Sequence, residues 1–483
     1  MIARTVMSQS ILLNTTVALV GRLVTLVLGL VATALMTRIL GAQEFGQYAF
    51  VATIGIFLQL IADFGLYLTA SRELGHSSGQ GNIRFGHILS LRSIFLIAIY
   101  SVGGVIMFLM PSLRSYVPLF FVFAIGFAAQ SVSQLLLSVF QAYGVVWRAT
   151  ISDIVGRIAQ VGVLIALFYQ IHTFSSHVIA AAAAFSVGLA ITCCIHLLLS
   201  PNKKILTPAF SSDVWKTIIK ISFPIGALLV LNAIYFRIDT VMLAWLRSPQ
   251  EVGWYALAYR VIENTLFFPA MLGGLVLPHI SASIKNGDTK RSRAFVEQSL
   301  FFSLSLALPI VAFLVMFSKQ FVVFLSGQSF ASSGPILSVL AWAAGIMFVG
   351  NILGFVLIAL RRQRELLYLY IGLALGNIVA NMFFIPTYGA LGAAWITVIT
   401  EGVATSVASY LVYEHIKWRI SLRNIVTIII PVLIALGVGQ LLPPGTPFPV
   451  AIMLVCAVYG ILGYTIGIWS NSKNNLLRST RGL

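Results

Sequence analysis

Arg22 lies about 11 residues inside an unbroken apolar run, 11–36, with no acidic residue three or four positions away. At about 1.5 Å per residue, that depth is near the middle of a helix long enough to cross a bilayer. A charge held there costs about 2.5–3.5 kcal/mol on insertion scales, so it is kept only where it faces a bundle interior or a watery cavity. A guanidinium fork matches phosphate oxygens, which makes Arg22 the first candidate for holding an anionic group. Its plainer alternative is a structural bond to carbonyls of another helix.

Other charges share this setting. Arg237 and Asp239 stand two apart in the run 218–246, on different faces, so they do not neutralise each other locally. Arg237 is the second anion-binding candidate. Arg260, with Glu263 three positions on, is the third, although a local salt bridge is the plainer reading. Asp153 and Arg157, four apart, read as a helix-stabilising pair. Arg92 is expected to snorkel to the interface, and Asp63, near the inner end of its run, to be structural. Glu401 has no local basic partner, so it and Asp239 are the candidates for ion coupling, with a cross-bundle pair as the alternative for Glu401.

The elements that position these residues are apolar helices. Hydrophobic types make up 59% of the 483 residues and charged types only 9%, against roughly 25% charged in a soluble domain. Apolar runs at 11–36, 45–70, 86–110, 117–140, 150–170, 177–200, 218–246, 252–281, 296–317, 333–360, 366–385, 390–413, 424–442 and 448–469 predict an all-α polytopic membrane protein with about fourteen transmembrane helices. The runs are continuous rather than alternating, which excludes a strand barrel. The net charge of +17 suggests nucleic acid in a soluble protein. Here the bases sit in every second link, as in Lys203, Lys204, Lys216 and Lys220, or Lys285, Lys290, Arg291 and Arg293. The intervening links hold only Arg38, Arg114, Arg247 and Lys319. This alternation predicts both termini cytoplasmic. The first run is read as an uncleaved helix, being too long for a signal segment.

Gln43-Glu44-Phe45-Gly46-Gln47-Tyr48-Ala49 reappears as Gln250-Glu251-Val252-Gly253-Trp254-Tyr255-Ala256, each opening a helix after a long apolar run. Six runs separate the two, an even number, which implies parallel repeats related by an axis along the membrane normal. The expected organisation is an N-terminal lobe over 1–200, a basic cytoplasmic linker over 201–217, a C-terminal lobe over 218–413, two further helices within 414–469, and a basic cytoplasmic tail over 470–483. Small residues at Gly350 and Gly354, and at Gly372 and Gly376, predict close helix packing.

Enzyme chemistry finds little support. The seven histidines are scattered, no phosphate-binding loop is present, and Cys193, Cys194 and Cys456 lie inside apolar runs without metal-ligand spacing. No metal or other cofactor is expected.

The stretch Thr37-Arg38-Ile39-Leu40-Gly41-Ala42-Gln43-Glu44-Phe45-Gly46-Gln47-Tyr48, then Asp63-Phe64-Gly65-Leu66, resembles the Wzx-type polysaccharide flippases of the multidrug/oligosaccharidyl-lipid/polysaccharide exporter superfamily. Ile385-Pro386-Thr387-Tyr388-Gly389-Ala390-Leu391-Gly392-Ala393-Ala394 resembles that family's link between its eleventh and twelfth helices. The resemblance implies two six-helix lobes around a cavity, plus two extra helices. It implies that a polyprenyl-pyrophosphate-linked oligosaccharide moves from the inner to the outer leaflet of a bacterial cytoplasmic membrane, by alternating access. Arg22 and Arg237 fit the role of that family's cavity arginines. A polysaccharide polymerase and chain-length proteins are the partners implied. The alternatives are a peptidoglycan lipid-precursor flippase and an ion-coupled multidrug antiporter of the same superfamily. The antiporter reading calls for buried carboxylates, and the first run carries none. The lipid-precursor reading calls for a denser arginine cluster, whereas Leu23 to Thr37 is free of charge. A membrane enzyme of polysaccharide assembly is a further alternative, disfavoured by the short outer loops.

Overall fold

The computed structural model describes residues 2–75, 85–170, 176–419, 421–443 and 446–465, with side chains from residue 17 onward except at 75, 204 and 422. Arg84, Lys473, Arg478, Arg481 and the 470–483 tail lie outside the described residues, and the side chain of Arg4 outside the described side chains. The described chain is helical, with α1 (Ile2–Asp63), α2 (Leu66–Gly75), α3 (Phe85–Leu109), α4 (Val117–Ala142), α5 (Val146–Tyr169), α6 (His177–Leu199) and α7 (Ser212–Leu246) in order. There follow α8 (Pro249–Thr265), α9 (Phe267–Lys285), α10 (Thr289–Ser326), α11 (Ser333–Ala359), α12 (Gln363–Ile416), α13 (Leu422–Gln440) and α14 (Phe448–Thr465).

Twelve stretches are long and apolar enough to cross a membrane among the described residues. Two of them are double. The 62-residue α1 would run about 90 Å if straight, three times the hydrocarbon core. It is broken at Gly41 (φ 65°, ψ 179°), a conformation open to glycine alone without strain. The 54-residue α12 breaks in the same way at Gly389 (φ 60°, ψ −141°), where Gly392 comes back against the Phe384 carbonyl. Dividing each at its glycine gives fourteen spans, the number expected from hydropathy. Large apolar side chains such as Ile97, Ile125, Trp342, Phe383 and Leu433 lie exposed, as lipid-facing positions do.

By internal contacts the chain forms two compact units, Met1–Gly253 and Trp254–Leu483. In the first, α5 and α6 pack closely, α4 packs on α6, and the first half of α1 lies along α5. Leu66, Ile88, Leu135, Phe140 and Ile218 fill a core shared by α2, α3, α4 and the start of α7. That shared core groups α7 with the first unit by contact. The lobes at 1–200 and 218–413 describe the repeat instead, and stand as a proposal.

In the second unit, Leu300, Leu353, Val356 and Val412 centre a core among α9, α10, α11 and α12. The last two helices pack on α10 through Val432, Ala435 and Val455, and the Tyr459 hydroxyl donates to the Ser305 carbonyl (2.6 Å). Asp288 caps α10, accepting from the Arg291 amide (2.9 Å). Of the glycines expected to pack closely, Gly350 does so, a β-carbon there lying 2.5 Å from Thr405 Oγ1, whereas Gly354, Gly372 and Gly376 have nothing within 4 Å.

Closer packing still is found inside the sequence repeat. A β-carbon at Gly46 would lie 1.7 Å from the Pro249 carbonyl oxygen, and one at Gly253 would lie 2.0 Å from that of Ala42. Each glycine thus meets the residue four before its repeat counterpart, a reciprocal crossing of the two QE-x-G segments. Backbone cannot yield as a side chain does. Gly46→Val is expected to destabilise the protein by about 1–3 kcal/mol, read by thermal unfolding in detergent, while Gly354→Ala should be neutral. Equal stability of both variants would contradict the crossing.

Candidate anion-binding site

Arg22, Asp153, Arg157 and His196 come from three helices of the first unit. A β-carbon at Gly21 would lie 1.9 Å from Thr150 Cγ2, so α1 crosses α5 at this level and brings Arg22 within electrostatic reach of Asp153. Gly156 sets the α5–α6 separation, because a β-carbon there would lie 1.9 Å from Thr192 Oγ1 and 2.6 Å from the Gly188 carbonyl oxygen. That approach places His196 Nε2 4.0 Å from Asp153 Oδ1 and 3.4 Å from the Ala149 carbonyl, to which it donates. His196 is 3% exposed, lies against the Phe140 ring (5.3 Å) and leaves its Nδ1 buried without a hydrogen-bond partner. Arg157 donates to Gln160 Oε1 (2.6 Å) and also lies within reach of Asp153. Asp153 is 54% exposed and Arg22 is exposed, so this cluster opens outward over a buried histidine floor.

The plain helix pair expected of Asp153 and Arg157 is therefore one edge of a four-residue cluster. Arg22, isolated on its own helix, has an acid across the helix interface. Spacing along one helix reports only same-helix neighbours, which is why the cross-helix partner was missed.

A second charged group corrects an expectation. Arg92 does not snorkel: it is fully buried, with Nη1 2.6 Å from Asp63 Oδ1. Its Nε donates to Ser131 Oγ (2.6 Å) and its Nη2 to Gln134 Oε1 (3.4 Å), which also accepts from Gln59 Nε2 (3.5 Å). Asp63 also accepts from the Tyr67 amide (3.2 Å), holding the chain through Phe64 (φ 39°) and Gly65 (φ 81°) into α2. Asp63-Phe64-Gly65 is thus a kink whose carboxylate is locked by Arg92. Buried and engaged by these partners, the pair is structural rather than ligand-binding. Depth alone suggested snorkelling, and the direction of the side chain decided otherwise.

The remaining candidates are more scattered. Asp239 is buried and Arg237 half-buried on α7. Arg260 is half-buried on α8, as is Glu263. In the second unit Glu401 is 7% exposed, with Tyr370 within electrostatic reach. On the same long helix, Asn381 Nδ2 donates to Asn377 Oδ1 (2.9 Å), and one turn before Glu401 the Thr397 Oγ1 lies 3.3 Å from the Tyr255 hydroxyl, all four residues being buried. These neutral groups carried no signal in a reading built on charge. A hollow of about 420 Å³ in the first unit is lined by residues including Gln47, Phe50, Met110, Tyr116 and Trp245. It has no charged residue in its lining, so it does not compete for an anion.

A family model described as "Polysaccharide biosynthesis protein" matches residues 11–284, more than half of the chain. The chain belongs to this polysaccharide biosynthesis protein family. A second model, MatE, matches residues 224–383 of this family member. Among solved structures it is similar to a lipid II flippase MurJ in an inward closed conformation, at TM-score 0.77 and 15% identity, covering 94% of this chain and 99% of that one. It is also similar to an inward-facing multidrug resistance MATE family transporter of the MOP superfamily, at TM-score 0.66 and 15% identity, covering 83% and 98%. A Vibrio cholerae MATE transporter, VcmN in its bent form, aligns at TM-score 0.54 and 14% identity, over 86% and 98%. No curated protein sequence matches the chain. The fold of this family member is that of these MurJ and MATE structures, and it is multi-pass in the membrane.

Proposed function

We propose that this protein is a Wzx-type flippase. It moves a polyprenyl-pyrophosphate-linked oligosaccharide from the cytoplasmic to the outer leaflet of a bacterial cytoplasmic membrane, in the assembly of a surface polysaccharide. The observation that carries the reading is the polysaccharide biosynthesis match over 11–284, a stretch that contains the arginine cluster of α1 and α5. Arg22 is the group that takes the pyrophosphate, because it is the exposed guanidinium at bilayer depth. Arg237, in the same unit, is a secondary contact for that anion, and Arg260, in the second unit, is a candidate for acidic sugars. The two lobes alternate access to that site, and a polysaccharide polymerase and chain-length proteins act on the cargo after it crosses.

Depletion in the host tests this reading, with lipid-linked glycans assayed on each leaflet. Cytoplasmic-side accumulation with loss of surface polysaccharide is expected. Unchanged glycan distribution with a rise in drug sensitivity would favour the multidrug antiporter instead.

Ion coupling is proposed for Glu401, buried and beside Tyr370, with Asp239 as the second candidate. Glu401→Gln is expected to slow transport and to flatten its dependence on an imposed pH gradient, measured in vesicles. Unchanged transport at every imposed gradient would dismiss the role.

A further inference from the structure

We propose that Asp153 is a built-in competitor for the arginines of this site, so that a pyrophosphate headgroup binds Arg22 together with a proton taken up by Asp153. The inference rests on Arg22 being the headgroup ligand. It adds how that ligand is held when no substrate is present, and how it is released.

The geometry carries it. The groups facing Asp153 are Arg22 from α1, Arg157 from α5 itself and His196 from α6. The Gly21 contact sets α1 against α5 at Thr150, one turn from Asp153, and the Gly156 contact sets α5 against α6, so Asp153 lies within electrostatic reach of Arg22. An anion on Arg22 is therefore an anion beside Asp153. Two like charges at such a distance oppose each other, and neutralising the weaker acid relieves the repulsion.

Charge complementarity points the same way. With Asp153 ionised and His196 neutral, the cluster carries a single net positive charge; with Asp153 protonated it carries two. The pyrophosphate of a glycosylated polyprenyl lipid is a diester carrying two negative charges. The protonated site matches it and the ionised site does not. His196 is buried and its Nε2 already donates to the Ala149 carbonyl, so it faces Asp153 as part of the helix packing and not as a second ligand for the anion. By linkage, binding draws a proton onto Asp153, and affinity rises as pH falls until Asp153 is already protonated in the free protein. Loss of that proton restores the attraction between Arg22 and the Asp153 carboxylate and expels the anion.

The test uses the full-length protein in detergent with inorganic pyrophosphate as the probe. Calorimetry in two buffers of different ionisation enthalpy reads the protons taken up. Pyrophosphate's own protons cancel when wild type and Asp153→Asn are compared at one pH. The wild type is expected to take up more protons than Asp153→Asn. The variant is expected to bind more tightly, on the order of fivefold, with a weaker pH dependence. Asp153→Ser should behave as Asp153→Asn does, which guards against a fault of one side chain. Equal affinity and equal proton uptake in wild type and both Asp153 variants, with binding lost in Arg22→Gln, would overturn the competitor role and leave Arg22 as the ligand. Undiminished binding by Arg22→Gln, or no binding by the wild type, would remove the Arg22 reading and the competitor with it.

Discussion

Arg22→Ala is expected to abolish transport, by on the order of a hundredfold or more, while the protein still reaches the membrane in normal amount. The size follows from what is removed. A charge-assisted fork to a phosphate, away from bulk water, is among the strongest polar contacts a side chain makes, and truncating one partner costs roughly 2–5 kcal/mol. The stability of the fold depends less on it, because Arg22 is exposed in the first unit whereas Arg92 is fully buried. Arg22→Lys keeps the charge and loses the fork, so it should recover only part of the rate. Surface polysaccharide in a depleted host carrying each variant is the readout, with membrane abundance measured alongside. Full export by Arg22→Ala would remove Arg22 from the site.

The second large effect is on folding. Arg92→Leu leaves Asp63 charged, buried and without its main partner, and Asp63→Leu does the same to a fully buried guanidinium. Breaking such a pair on one side costs about 3–5 kcal/mol. Asp63→Leu also removes the acceptor for the Tyr67 amide at the kink before α2. Both single variants are expected to unfold at clearly lower temperature in detergent and to be depleted from the membrane. The double variant should recover a good part of the loss, since neither charge is then stranded. A double-mutant cycle reads this directly; additive losses would show that the pair is not coupled.

The contrast between these two arginines shows what could be read from the chain. Both lie in apolar helices, and hydropathy placed both helices correctly. The breaks at Gly41 and Gly389 were also legible, because both glycines sit in stretches where one apolar run ends and another begins. What a linear pattern lacks is rotation about the helix axis and the identity of the facing helix. Depth along a helix makes Arg92 read as a snorkelling residue, and spacing of three and four makes Arg22 read as isolated, because neither reports the facing helix. Asp153 and His196, 43 residues apart, meet because Gly156 and Gly188 let α5 and α6 approach, and the chain gives no periodic sign of that. The reciprocal contact of Gly46 and Gly253 was half visible: the repeat announced both segments, and the crossing required coordinates.

The central claim is that this protein moves a lipid-linked oligosaccharide across a bilayer. Its most direct measurement is made with purified protein reconstituted into vesicles that carry a polyprenyl-pyrophosphate-linked oligosaccharide on both leaflets. A membrane-impermeant oxidant of the glycan reads the outer leaflet alone. The account predicts that nearly all of the glycolipid becomes accessible over time, with Arg22→Ala vesicles remaining at the half exposed from the start. If wild-type vesicles also stay at that half, under every imposed ion gradient, the flippase reading is contradicted.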